Sequence, residues 1–206
     1  MTTPNREEVI RCSTGTLMMI YYVIVGLSIT EALQNTFLKD GSFMGAGAFS
    51  TDNLPKTLLL FALLPTICRF VHGASMHLGV PSDKRYKPLV DFVWFCFQAS
   101  LFYLMAFSLE TLVLFSIFFG AILLLDTCWL IVLILVRYLK RGPTETQWLV
   151  SNTIIIVFVA GVLLTGERIP NTAKAFLILA VALAATVWDY VANRDFYFPT
   201  QDPVGR

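Results

Sequence analysis

One stretch constrains this chain more than any other. From Pro88 to Leu139 the sequence is apolar almost without a break, and Asp91, Glu110, Asp126 and Arg137 are its only charged residues. A helix that crosses a bilayer needs about 20 apolar residues. The run is more than twice that length, so it holds two spans, and Ser108–Leu109–Glu110 supplies a polar hairpin tip between them.

The same length criterion yields four more spans. The six are expected at about 14–34, 57–78, 89–108, 112–138, 148–165 and 173–192. Only 14% of the chain is charged, against roughly a quarter in soluble domains, and this deficit excludes an ordinary soluble fold. The expected class is therefore all-α: a polytopic membrane protein, with residues 1–206 forming one integral membrane domain. It is a six-transmembrane-helix bundle with short loops.

Orientation follows from lysine and arginine, which accumulate on the cytoplasmic side. Six spans place the N-terminus, the second and fourth connections and the C-terminus on one side. That side carries Arg6, Arg11, Lys84, Arg85, Lys87, Arg137, Lys140, Arg141, Arg194 and Arg206, ten in all, against Lys39, Lys56, Arg168 and Lys174 on the other. Both termini are expected in the cytoplasm, in a plasma membrane or a bacterial inner membrane. Trp148 and Trp188, with the tail Tyr190, Phe196, Tyr197 and Phe198, read as aromatic rings at the interface.

Several function classes drop out. A formal net charge of +1 offers no electrostatic hold on nucleic acid. The cysteines Cys12, Cys68, Cys96 and Cys128 form no close-set pair, so neither a disulfide framework nor a thiolate zinc site is expected. The Gly-rich connection around Gly41, Gly45 and Gly47 lacks the lysine and Ser/Thr of a phosphate-binding loop. No metal or other cofactor is expected.

What remains is a set of polar groups at membrane depth, centred on Pro65–Gly73. Ionisable residues inside spans need a partner, an aqueous cavity or a function. At about 1.5 Å per residue, Arg69 lies roughly 18 Å along the second helix and His72 about 22 Å. Asp126 lies about 21 Å along the fourth, at the same level. Asp91, Asn152 and Asp189 fall nearer the cytoplasmic ends, and Gln98 shares a face with Asp91. The expected pairing is Arg69 with Asp126, with His72 reaching Asp126 or Asp91. Pro65 removes one backbone hydrogen bond and is a candidate kink.

Three functions fit this pattern. The first is a channel or transporter moving protons, ions or a small solute through a centre built from Arg69, His72, Asp126, Asp91, Gln98, Asp189 and Asn152, as a monomer or a homo-oligomer. The second is a non-enzymatic sensor, effector or scaffold subunit, of the kind used in defence or stress systems. It would dock a cytoplasmic protein or lipid through Lys84, Arg85, Lys87, Arg137, Lys140 and Arg141. The third is an intramembrane enzyme, for which Ser75 and Ser100 are nucleophiles by residue type alone and no catalytic motif is present. A purely structural ion pair accounts for Arg69 equally well.

Overall fold

The computed structural model describes residues 6–39, 41–79, 87–135 and 143–198. Helix α1 spans Arg6–Phe37 and is followed by a two-residue hairpin, β1 Leu38–Lys39 with β2 Ser42–Phe43. A 3₁₀ turn at Gly45–Phe49 leads to α2, Leu54–Gly79. Then come α3 Lys87–Phe107, α4 Leu112–Leu135 and α5 Pro143–Leu164. After a second 3₁₀ turn at Gly166–Arg168, α6 spans Asn171–Ala192 and a single helical turn, α7, spans Arg194–Tyr197. Six of these helices are long and apolar enough to cross a membrane. Lys84, Arg85, Arg137, Lys140 and Arg141 lie outside the described residues, and Lys87 is the first residue of α3.

The helix ends follow local chemistry. α1 begins eight residues before the span expected from 14, because residues 6–13 are rich in Arg and Glu, good helix formers, and hold no Gly or Pro. α5 begins on Pro143, where the missing N–H is one that a helix start leaves unpaired anyway. α5 closes at Gly166, whose φ of +55° lies in the left-handed region that favours glycine. The Lys174 ammonium donates to the freed Gly166 carbonyl.

Side-chain contacts give the helix directions. Tyr21 packs on Phe95, and Asn35 Nδ2 donates to the Ala106 carbonyl at 3.2 Å, so α1 and α3 run parallel. Pro65 meets Thr186 and Arg69 meets Asp189, so α2 and α6 also run parallel. α4 runs antiparallel to α3, since Gln98 meets Asp126 while Trp94 meets Trp129, and α4 packs on α5 through Asp126 and Asn152. At the hairpin end Lys56 bonds Glu110 at 3.1 Å and ties the start of α2 to the α3–α4 turn.

Small and large side chains alternate in the core. Ala62, Ala99, Ala106, Ala175 and Ala182 are buried and let backbones approach, while Tyr21, Phe102, Phe115 and Phe119 fill the space between. The outward faces are just as apolar: Val113, Leu114, Ile117 and Leu124 of α4 are all exposed. A helix apolar all round is stable when its outer face meets hydrocarbon, so these surfaces are lipid contacts. Hydroxyl groups within the spans turn back onto their own helices. Ser28, Thr66, Ser116 and Thr127 each donate to the carbonyl four residues earlier. This satisfies them where water is absent. α2 continues through Pro65, and Thr186 Oγ1 of α6 lies 3.4 Å from the Pro65 carbonyl oxygen.

Candidate functional site

The polar residues converge at the end of the bundle where α2, α4 and α6 finish. Asp189 is 1% exposed and accepts four hydrogen bonds. Arg69 Nε donates at 2.9 Å and the Tyr197 hydroxyl at 2.7 Å to one oxygen. Trp148 Nε1 at 2.6 Å and Asn193 Nδ2 at 2.7 Å donate to the other. A carboxylate offers about four acceptor sites, so Asp189 is saturated.

Arg69 therefore pairs with Asp189, not with Asp126 as the depth estimate suggests. Depth along a helix gives a level but no lateral order. α2 lies beside α6, and this neighbour supplies the counter-ion. The level itself is right, because Asn152 joins the two centres. Its Oδ1 accepts from Arg69 Nη2 at 2.9 Å and its Nδ2 donates to Asp126 Oδ2 at 2.9 Å. Gln98 Nε2 donates to Asp126 Oδ1 at 3.2 Å. One chain of bonds thus runs Asp189, Arg69, Asn152, Asp126, Gln98 and crosses α6, α2, α5, α4 and α3.

His72 departs further from expectation. It reaches neither Asp126 nor Asp91. Its Nδ1 lies 3.1 Å from the Tyr190 hydroxyl, and its ring packs among Tyr190, Tyr197 and Phe198 at centroid distances of 4.8 to 5.9 Å. The slow turn of the Thr66, Arg69, His72 stripe carries it toward the α6–α7 corner. The histidine that faces Asp91 is His77, with Nε2 at 3.4 Å from Asp91 Oδ2, an ion-pair distance without hydrogen-bond alignment.

Beside Asp126 lies a cavity of about 60 Å³, bordered by Arg69, His77, Gln98, Asp126, Trp129 and Trp148 among others. Asp126 is half-buried and carries only two of its possible hydrogen bonds from the described residues. The Gln98 carbonyl oxygen, the Asp91 Oδ1 and the Trp94 indole N–H are buried and without a hydrogen-bond partner among the described residues. Trp94 stacks on Trp129, with ring centroids 5.0 Å apart.

Three residues of this site escape a reading from sequence. Trp148 and Tyr197 look like interfacial aromatics, yet both donate inward to Asp189. Tyr197 is 4% exposed, and burial together with the adjacent carboxylate pushes its phenol well above the ordinary tyrosine range. His77 shares an end with Asp91, which is the one signal that points to their meeting. Ser75 and Ser100 lie outside the bond chain, and both donate to carbonyls of their own helices. Among the described residues no group of three or more His, Cys, Asp and Glu could hold a metal ion.

Fold and site together define a multi-pass integral membrane protein with a charge network buried at one end of the bundle. Comparison with protein-family models, curated proteins and solved structures finds no match for this chain.

Proposed function

We propose that this chain is a channel- or transporter-like protein that handles protons or a small cation at Asp126, with both termini in the cytoplasm. The observation that carries the reading is an inequality between two carboxylates. Asp189 has its counter-ion and four donors. Among the described residues Asp126 has two amide donors and no direct cation, and a cavity lies beside it. A charge held so at membrane depth is costly unless a mobile species compensates it.

The test is flux into proteoliposomes followed with a pH-sensitive dye. Wild-type protein conducts above the leak of protein-free vesicles, Asp126→Asn falls to that leak, and His72→Ala behaves as wild type. A wild type indistinguishable from empty vesicles, or an Asp126→Asn variant that conducts normally, defeats the proposal. The competing reading is a sensor or scaffold subunit. The saturation of Asp189 favours it, since a fully bonded carboxylate locks helices and passes nothing on.

A further inference from the structure

We infer that the cavity beside Asp126 is a binding site for a small monovalent cation of the ammonium type, with Asp126 and the Gln98 carbonyl as its hydrogen-bond acceptors. The inference deepens the proposed function and rests on Asp126 being the site where a ligand is handled.

Charge sets the class. Among the described residues, the charged and basic groups around the cavity are Arg69, Asp189, Asp126, His77 and, behind His77, Asp91. Arg69 and Asp189 cancel. With Asp126 ionised and His77 protonated, His77 cancels Asp91, and Asp126 leaves one negative charge. With His77 neutral the excess is two. An anion is disfavoured in either state, and a neutral solute leaves Asp126 uncompensated.

Acceptors set the hydrogen-bonding pattern. Asp126 retains about two of its four acceptor sites. Gln98 is 1% exposed and borders the cavity, its Nε2 is engaged by Asp126, and its carbonyl oxygen has no partner among the described residues. While Asp126 is ionised, the Gln98 amide group must face it, which leaves the carbonyl as an acceptor that wants a donor. An N–H-bearing cation supplies both charge and donors.

The remaining wall separates ammonium from sodium. Phe70, Phe95, Trp129 and Trp148 border the cavity. Aromatic faces attract organic cations directly, whereas sodium needs a shell of oxygens that these walls lack. A cavity of about 60 Å³ holds on the order of four to six waters. That is room for ammonium or methylammonium and too little for a bulky quaternary amine.

The test uses the full chain in detergent micelles, with methylammonium chloride titrated against sodium chloride at constant ionic strength. The readouts are tryptophan emission, since Trp129 and Trp148 border the cavity, and the unfolding temperature. Methylammonium gives a saturable emission change and a rise in Tm, and sodium gives neither. Asp126→Asn abolishes both responses. Should Asp126→Asn not fold, Gln98→Leu replaces it and must weaken binding. Absence of a saturable response in the wild type overturns the inference, and so does an unchanged response when Asp126 or Gln98 is altered. Proton flux in vesicles without methylammonium binding leaves the transport reading standing and removes this one. Binding without any flux does the reverse.

Discussion

Asp189 draws its donors from α2, α5 and the α6–α7 corner, so its carboxylate fastens separate elements of the fold. Removing one partner of a buried ion pair is far costlier than removing both, because the survivor is left charged and uncompensated. Arg69→Ala is expected to lower stability by about 3–5 kcal/mol. The double variant Arg69→Met/Asp189→Asn, which removes both charges and keeps an acceptor for Trp148 and Tyr197, should recover part of that loss, while Arg69→Met/Asp126→Asn should recover less. A set of thermal unfolding curves in detergent decides between the two counter-ions. Tyr197 adds a pH dependence whose sign can be worked out. Burial, then the Asp189 charge and hydrogen bond, raise its phenol pKa in the folded protein. The raised value means that its contribution to stability is complete below the unfolded pKa, about 10, and is lost as pH climbs above it. Unfolding temperature should therefore fall in strongly alkaline solution, and Tyr197→Phe should remove that part of the fall while lowering stability at neutral pH.

At the scale of elements, the short turn α7 behaves as a strap across the α2–α6 pair. Phe196 meets Trp148 edge-on at 5.1 Å, and Tyr197 lies 4.8 Å from the His72 ring while bonding Asp189. A chain ending at Ala192 loses two of the four donors to Asp189 and one border of the cavity. It should unfold at lower temperature and shift Trp148 emission to longer wavelength as water enters. Retention of wild-type emission and Tm would show that the strap contributes nothing. The spans were readable because hydropathy and length report directly on solvent. α7 was not, since Arg194–Asp195–Phe196–Tyr197 is too short for a periodic pattern and its aromatic residues suit an interface equally well. The Arg69 partner escaped for a related reason: helix length yields level, whereas lateral neighbours depend on packing of small residues such as Ala62 and Ala182 that carry no long-range signal.

For the molecule as a whole, the apolar surface explains partition into a bilayer but not which way the bundle faces. Inner and outer faces of α4 are alike in hydrophobicity, so direction must come from charge in the connections. The ten basic residues expected on the cytoplasmic side exceed the four opposite by six. Lys84, Arg85, Lys87, Arg137, Lys140 and Arg141 account for that whole difference. A reporter active only in the cytoplasm should therefore work when fused to the C-terminus. One active only outside should work when inserted at Glu110, in the turn between α3 and α4. Replacing all six basic residues by glutamine leaves four on each side, and the bias disappears. That variant should insert in both orientations, with each reporter partly active at each place. If it keeps the wild-type orientation instead, the six residues are free of any topological duty. Their conspicuous clustering would then favour the reading in which they dock a cytoplasmic partner or anionic lipid.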